Sequence, residues 1–315
     1  MAKYIDIFTD YGFKKIFGEE ANKNFLIDFL NSLLPDNTQI TDLTFKNSEQ
    51  LPTNIVERKA VYDIYCENER GEKFIVELQK AKQNYFMERT IYYSTFPISG
   101  QAVKGEWDYN LKAVYCIGIL DFKFSDYKDE AEKGDVVHTH TLKDQHNRQA
   151  YDKLTYIYLE MPNFNKKENE LKTRLDQWLY FIKNLEDFQT IPEIFNNDVV
   201  FIEAIQKAEL SRMSEEAQAA YFAGLKAYRD SINTRNTARS EGYEKGKDEG
   251  LKEGIKEGIE KGIEIGEANK EKYATEKAKE KQVEMAKSCL EDGMSIAKIA
   301  KLTGLSEDDI KSIAG

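Results

Sequence analysis

The sequence predicts an α/β fold in which a central β-sheet is flanked by helices and followed by a long helical tail. Two largely apolar strands joined by a tight turn occupy residues 60–79. Residues 111–122 are almost continuously apolar, as expected of a strand that is buried on both faces. The segments around these strands carry apolar residues at helical spacing, which predicts helices packed against the sheet.

The hairpin consists of the strands Ala60–Cys66 and Phe74–Gln79, joined by the turn Glu69-Arg70-Gly71. Three-residue hairpin loops commonly end in a residue with positive φ, and Gly71 is placed for that conformation. Because strand side chains alternate between the two faces, one face of the hairpin is expected to be wholly apolar. That face comprises Tyr62, Ile64, Cys66, Phe74, Val76 and Leu78.

The other face of the hairpin carries Asp63 directly opposite Glu77, with Gln79 beside them. Two carboxylates in cross-strand positions repel each other and destabilise the strand pair. A divalent cation held between two hard oxygen ligands would offset that repulsion. The alternative is that both carboxylates splay into water, with Lys59 or Lys80 nearby. The spacing alone leaves both interpretations open.

Two helices and a strand are predicted ahead of the hairpin. The first helix covers residues 8–18, with Asp10 as its expected N-cap before the apolar positions. The second helix covers Asn22–Leu34, where an apolar stripe follows the helical period, and it ends at Pro35. The predicted strand is Leu43–Lys46.

Further helices and strands are predicted beyond the hairpin. Gln83–Lys104 has a helical pattern, and Pro97 is expected to kink or restart that helix. Val136–Leu142 and Leu154–Glu160 alternate in polarity, which predicts strands. Three more helices are predicted over Glu170–Asn184, Asp198–Leu210 and Glu215–Ser231.

The segment 242–266 has a glycine at every fourth position, and the residue after each glycine is mostly apolar. Each glycine costs a helix about 1 kcal/mol against alanine, so an isolated helix here is expected to be weak. Close approach by a partner helix would offset that cost, and a four-residue period favours right-handed crossing. We therefore predict a homodimer that associates through residues 242–266 and the C-terminal bundle. A flexible low-complexity linker is the alternative.

Residues 283–315 are predicted to form a small helical bundle. Asp292-Gly293 ends its first helix, and Thr303-Gly304-Leu305 forms the next turn. The run Ile299–Ser306 resembles a helix-turn-helix. The acidic Glu307-Asp308-Asp309 that follows suits DNA recognition poorly, so a partner-binding or dimer-capping bundle is the favoured interpretation. The predicted domains are thus 1–235, 236–282 and 283–315.

The composition limits the classes of function. The chain has 315 residues and a formal net charge of −11, which argues against a general binder of polyanions but permits a local basic cleft. No apolar run reaches the length of a membrane span, and the N-terminus lacks the pattern of a signal peptide. Cys66, Cys116 and Cys289 have neither disulfide nor zinc spacing. We expect a cytoplasmic protein.

Asp63, the hairpin and Glu77-Leu78-Gln79 together resemble the core of PD-(D/E)XK nucleases. The resemblance implies a restriction-endonuclease-like fold, with a mixed central sheet flanked by helices. It also implies that Asp63 and Glu77, with the carbonyl of Leu78, bind Mg²⁺, or Mn²⁺ or Ca²⁺ in its place. In the general pattern the third residue is a lysine, whereas this chain has Gln79.

Five motifs follow one another along the chain: Phe8–Gly18, Phe29–Leu34, Glu57-Arg58-Lys59, Val76–Gln79 and Arg89–Tyr93. Through their order and spacing the chain resembles, more narrowly, the recombination-promoting nuclease and putative transposase family. That resemblance implies a Mg²⁺-dependent DNA endonuclease that acts in DNA recombination or phage defence. It also makes Asp10 a recurrent motif position. Asp10 is therefore either a catalytic residue or the N-cap of the first helix.

Basic side chains near the hairpin in sequence are candidates for contacts to DNA phosphates. Lys14, Lys59 and Arg89 are the selected candidates, and an ordinary mixed-charge surface is the alternative for each. Gln79 is expected to orient a water or a phosphate oxygen. Its neutral amide cannot supply the positive charge that a lysine places on the transition state. The sequence therefore does not fix the catalytic rate.

Two other functions compete with the nuclease. The first is a catalytically degenerate nuclease fold that regulates by binding DNA or protein, with the glycine-striped tail as its oligomerising part. The second is a structural oligomer with no role on nucleic acids.

Overall fold

The computed structural model describes residues 2–50, 60–124 and 134–314. The chain forms two compact units, Met1–Ser231 and Ile232–Gly315. The motif residues Glu57-Arg58-Lys59, including the phosphate candidate Lys59, lie outside the described residues. The three-domain division proposed from the sequence stays a prediction.

A six-stranded mixed sheet forms the centre of the first unit. Across the sheet the strands are, in order, β1 (Leu43–Phe45), β4 (Ile64–Asn68), β5 (Lys73–Gln79), β6 (Val114–Leu120), β8 (Gln149–Glu160) and β7 (Val137–Lys143). The strand β5 is antiparallel to β4 but parallel to β6, and β6 is parallel to β8. The edge strands β1 and β7 are antiparallel to their neighbours. A separate pair consists of β2 (Glu49–Gln50) and β3 (Ala60–Val61).

Helices cover both faces of this sheet, so the predicted α/β fold class is confirmed. The helices α1 (Asp10–Phe17), α2 (Lys23–Leu33), α4 (Arg174–Asn184) and α5 (Val199–Ala208) pack on one face through the main apolar core. The helix α3 (Phe86–Ser99) packs on the other face. The strand β6 lies at the centre and is buried along its whole length, as its continuous apolar sequence predicted.

The hairpin of β4 and β5 has the predicted register, with Tyr65 paired to Ile75. Gly71 has a φ of 81°, the positive value expected at the end of the turn. The prediction that Tyr62 lies on the apolar face is wrong. Its side chain packs against Tyr93 of α3, on the other side of the sheet, and its hydroxyl donates to the Tyr93 carbonyl at 2.9 Å. The strand is interrupted between β3 and β4, so the alternation of faces does not continue through Tyr62.

The N-cap of the first helix lies one residue before the predicted cap. Thr9, and not Asp10, is the N-cap, because its hydroxyl accepts the Gly12 N–H at 2.9 Å. Asp10 is instead the first helical residue and is exposed, with its carboxylate 2.8 Å from Lys14 Nζ. An acidic residue in the first turn still favours the helix through the backbone dipole.

The last helix of the first unit was predicted to end at Ser231. That predicted end is wrong, because the helix is longer. It is part of α6 (Glu215–Glu291), which continues through the glycine-striped segment. The stretch between Ser231 and Gly242 contains neither proline nor glycine, so no residue there stops the helix. Among the described residues, no helix combines the length and the apolar character that a bilayer crossing requires.

The C-terminal bundle contains the end of α6, then α7 (Ile296–Thr303) and α8 (Glu307–Ala314). Gly293 and Gly304 have φ values of 73° and 75° at the two helix ends, where a left-handed residue ends a helix. Its small core consists of Ala286, Ile299, Leu305 and Ile310.

Candidate active site

The carboxylates of Asp63 and Glu77 meet where the hairpin strands β4 and β5 diverge. The Asp63 N–H donates to Glu77 Oε1 at 3.2 Å, and the Leu78 N–H donates to Asp63 Oδ2 at 2.8 Å. Each side chain therefore reaches the backbone next to the other. The predicted juxtaposition follows from the hairpin register: Ile64 pairs with Val76, so Asp63 and Glu77 are the next two residues along the diverging strands.

Burial makes both carboxyl groups harder to ionise. Glu77 is only 8% exposed because α3 covers this face of the sheet. Its burial, and then the charge of Asp63, raise the pKa of Glu77 to about 8. Burial also raises the pKa of Asp63, although the Leu78 N–H and the charge of Lys14 act in the opposite direction. Glu77 thus does not splay into water.

The remaining carboxylate oxygens are suited to a cation. Within the described part of the chain, neither Asp63 Oδ1 nor Glu77 Oε2 accepts a hydrogen bond. Two hard oxygens in a site where negative charge is disfavoured fit Mg²⁺, which would compensate both charges. The described residues contain no group of three or more acidic, histidine or cysteine side chains arranged around one metal position. The Leu78 carbonyl is the further oxygen that the sequence suggested.

The helix α1 brings a positive charge to this pair. Lys14 is close enough for the charges of Asp63 and Glu77 to act on it. Burial lowers the pKa of Lys14, but the hydrogen bond to Asp10 and the nearby carboxylates outweigh that effect and raise it overall. Asp10 therefore reaches the site through Lys14, while its own negative charge raises the pKa of Asp63.

Gln79, two residues beyond Glu77, is joined to Arg89 of α3. The Arg89 Nη2 donates to Gln79 Oε1 at 2.5 Å, and the Gln79 Nε2 donates to the Ala81 carbonyl at 2.9 Å. The charge of Arg89 lowers the pKa of both Asp63 and Glu77. The structure thus brings together every proposed site residue that it describes.

Comparison with known protein families agrees with this arrangement. Residues 7–238, well over half of the chain, match the family described as PD-(D/E)XK nuclease family transposase. The protein belongs to this family. Residues 279–315 match the C-terminal HTH domain of the Rpn/YhgA-like nuclease family. Neither the curated proteins nor the solved structures gave a match.

Family membership confirms the resemblance drawn from the hairpin motif. As a PD-(D/E)XK nuclease family transposase, the chain has its nuclease fold within the matched residues, which include both carboxylates, Gln79 and Arg89. The match at the C-terminus identifies a helix-turn-helix domain in the segment where the run Ile299–Ser306 resembled one. The partner-binding bundle favoured there stays a prediction.

Two further charged residues border the site and were not selected from the sequence. The ammonium of Lys80 lies 3.8 Å from the ring centroid of Tyr228, and burial lowers the Lys80 pKa although Asp63 and Asp121 act against that change. Asp121 follows β6, and its N–H donates to the Gln79 carbonyl at 3.0 Å. One signal was available: parallel strands end at the same sheet edge, so a carboxylate directly after β6 lies near the end of β5.

Proposed function

We propose that this protein is a divalent-metal-dependent DNA endonuclease, with Mg²⁺ as the working ion and Mn²⁺ or Ca²⁺ as alternatives. One observation carries the proposal: two carboxylates, Asp63 and Glu77, are held together in a largely buried site where burial opposes their ionisation. Such a site is stabilised by a cation, and family membership makes phosphodiester cleavage the chemistry to test.

In this proposal Asp63, Glu77 and the Leu78 carbonyl hold the ion. When bound, Mg²⁺ supplies positive charge that polarises a phosphate and acidifies a nearby water. The backbone N–H of Leu78 and that of Asp63 keep the carboxylates oriented, so the ligands need little rearrangement on binding. Lys14 supplies positive charge from α1, and Asp10 fixes the position of Lys14.

The reaction is hydrolysis of one phosphodiester. A water oxygen forms a bond to phosphorus as a bond from phosphorus to a sugar oxygen breaks. The water loses a proton and the departing oxygen gains one, so the products are a phosphomonoester and a hydroxyl. Positive charge beside the phosphate stabilises the negative charge that builds up in the transition state. The phosphate candidates Lys14, Lys59 and Arg89 belong to this step.

Cleavage of supercoiled plasmid with Mg²⁺ tests the proposal. We expect Asp63→Ala and Glu77→Ala each to lower the nicking rate by about 100-fold or more, because each removes a ligand of the ion. Exposed Glu88→Ala on α3 is the matched control and is expected to nick as fast as wild type. Nicking by both site variants at the wild-type rate would refute the assignment.

The wider setting belongs to the same proposal. We place the protein in the cytoplasm, in DNA recombination or phage defence, with DNA contacts also made by its C-terminal helix-turn-helix domain. We further propose a homodimer that associates through residues 242–266 of α6. An apolar stripe on α6 supports the dimer. Its four side chains are each more than half exposed, so a second helix could bury them. They are Leu251, Ile255, Ile259 and Ile263.

A second candidate function has one observation in its favour. Gln79 stands where the general pattern has lysine, and both ends of its amide are occupied by protein groups. A catalytically degenerate fold that regulates by binding DNA or protein would have such a site. Calorimetry separates the two candidates: the nuclease requires a Mg²⁺ binding signal that disappears in Glu77→Ala, whereas the degenerate fold has no such signal.

A further inference from the structure

We propose that Arg89 supplies the positive charge on the scissile phosphate and that Gln79 is the positioning residue that holds its guanidinium there. The inference rests on the proposed nuclease function and assigns roles within the same site. In this inference Gln79 positions Arg89 and does not orient water. Arg89 contacts the phosphate that is cleaved and is not a general phosphate contact.

Both the oxygen and the nitrogen of the Gln79 amide form hydrogen bonds to other groups of the protein. Its oxygen accepts from Arg89 Nη2 at 2.5 Å, and its nitrogen donates to the Ala81 carbonyl at 2.9 Å. The second bond orients the amide so that its oxygen faces the guanidinium. A lysine at this position would place a second cation against Arg89 and would leave the guanidinium without its acceptor. Glutamine here is therefore matched to an arginine partner.

Other contacts hold Arg89 in place. Its Nη1 donates to Gln83 Oε1 at 2.7 Å, and the guanidinium carbon lies 5.2 Å and 5.7 Å from the ring centroids of Phe86 and Tyr93. Rings at this distance favour a cation. The backbone contributes too: the Arg89 N–H donates to the Tyr85 carbonyl, and Tyr85 has a φ of 61° at the start of α3.

The guanidinium retains donors for a ligand. The Arg89 Nε is buried and has no hydrogen-bond partner among the described residues, and an arginine has five N–H donors in all. An unpaired buried donor is costly unless a partner arrives. Beyond their bonds to Gln83 and Gln79, Nη1 and Nη2 each carry a second N–H, and guanidinium groups bind phosphates through two parallel N–H···O bonds.

Arg89 lies on the same face of the sheet as the proposed metal site. Gln79 follows Glu77 by two residues on β5, so both side chains are on one face of the strand, and the guanidinium is bonded to Gln79. Arg89 and the ion would thus act on the same phosphate. The cation that strand β5 lacks at its third motif position is provided by α3, which packs over this face of the sheet.

A mutant cycle on single-turnover plasmid cleavage in Mg²⁺ tests the pairing. We expect Arg89→Ala to slow cleavage by about 100-fold, the loss typical of one charged donor in a transition state. Gln79→Ala should slow it by about 10-fold, because Arg89 loses its position. In the double variant Gln79→Ala should add less than about 2-fold, since a positioning residue has nothing left to position.

A charge relocation provides a stricter test. Gln79→Lys combined with Arg89→Gln moves the cation from α3 to the end of β5. We expect this double variant to cleave at least about 10-fold faster than Arg89→Gln alone. A merely structural role for the two side chains gives no such recovery. Arg148→Ala, which removes an exposed arginine from the turn between β7 and β8, is the control and should leave the rate unchanged.

The outcomes separate this inference from the proposed function. If Asp63→Ala abolishes cleavage while Arg89→Ala cleaves within about 3-fold of wild type, the inference is wrong and the nuclease assignment stands. Additive effects of Gln79→Ala and Arg89→Ala also overturn it. If wild type does not cleave, the same cycle is measured as anisotropy of a labelled DNA duplex in Ca²⁺. Equal affinities of wild type and Arg89→Ala would then overturn it.

Discussion

At the residue scale, Glu77 links the stability of the protein to the binding of metal. Its carboxyl is buried beside Asp63, which raises its pKa from 4.5 to about 8. The metal-free folded state therefore holds a proton on Glu77 at pH values where the unfolded chain has released it. A group with a raised pKa contributes stability at low pH and loses that contribution as the pH rises through the folded-state value.

The first prediction concerns unfolding in EDTA. Between pH 5 and pH 8 the free energy of unfolding should fall, and Glu77→Gln should reduce that fall by about 2 kcal/mol. Urea titrations across this range give the measurement. Glu88→Gln on the exposed side of α3 is the matched control and should keep the wild-type slope. The same slope in Glu77→Gln and wild type would show that Glu77 does not titrate as described.

Added Mg²⁺ should oppose this pH dependence. Metal binding requires ionised ligands and releases a proton from Glu77, so stabilisation by Mg²⁺ should grow as the pH rises from 6 to 8. The midpoint of thermal unfolding with and without Mg²⁺ measures the effect. Glu77→Gln should lose it at every pH. A stabilisation by Mg²⁺ that survives in this variant would place the ion elsewhere.

At the same scale, the sequence predicted the carboxylate pair but not the surroundings of each residue. Asp63 and Glu77 could be paired because a tight turn with Gly71 fixes the register over a few residues. The cap depends on whether the side chain of Thr9 or that of Asp10 accepts the backbone N–H. The burial of Tyr62 depends on the side of the sheet against which its ring packs. That choice is decided by packing against α3 and by local backbone geometry, and neither follows from residue types.

At the scale of elements, one arginine joins three helices of the first unit. Arg174 of α4 donates to Asp28 of α2 at 2.6 Å and 2.9 Å, and it also donates to Asp198, the N-cap of α5. Asp28 further accepts from the Trp178 indole at 2.6 Å. Burial acts to raise the pKa of Asp198, but the bond from Arg174 outweighs it and holds that pKa below its ordinary value.

We predict that Arg174→Met lowers the free energy of unfolding by about 2 kcal/mol at pH 7, because two partly buried carboxylates lose their common partner. The loss should shrink as the pH falls through the folded-state pKa of Asp198, since protonated carboxyls no longer need the cation. Arg148→Met removes an arginine that is 75% exposed and should change the value by less than about 0.5 kcal/mol. Equal losses in the two variants would contradict the linking role of Arg174.

Elements were predictable where one local signal dominates. The buried strand β6 follows from its apolar run, and α2 ends just before Pro35, as the sequence indicated. The pairing of Gln79 with Arg89 was not predictable, because it depends on where α3 crosses the sheet. The length of α6 was missed for a different reason: its glycines lower helix propensity, so propensity alone predicts a break that the structure does not have.

At the scale of the whole molecule, the glycine-striped part of α6 is where the proposed dimer can be tested. A methyl group added at any glycine from Gly242 to Gly266 would meet no atom of the described residues within 4 Å beyond the adjacent backbone of its own helix. The chain itself therefore gives no steric reason for glycine at these positions. Beside the glycines runs the exposed apolar stripe Leu251, Ile255, Ile259 and Ile263.

The last prediction uses alanine at four of these glycines: Gly250, Gly254, Gly258 and Gly262. Alanine favours a helix over glycine by about 1 kcal/mol per site, so the helix of a single chain should become more stable by about 4 kcal/mol in all. If the glycines allow a second helix to approach, the same methyl groups separate the two helices. We expect the variant to unfold at a higher temperature by circular dichroism and to dissociate at a concentration at least about 10-fold higher in sedimentation equilibrium.

The opposite signs of these two effects make the test specific for close packing between helices. A control variant with alanine at Asp248, Lys252, Lys256 and Glu260 removes two acids and two bases, so the net charge is unchanged. These positions lie next to the apolar stripe on the helix surface. Replacing them changes neither the glycines nor the residues of the stripe. The control should keep its dissociation constant within about 3-fold, because exposed charge pairs contribute little. A glycine-to-alanine variant that dimerises as tightly as wild type would place the contact away from the glycines, and a monomeric wild type would leave α6 as a connector.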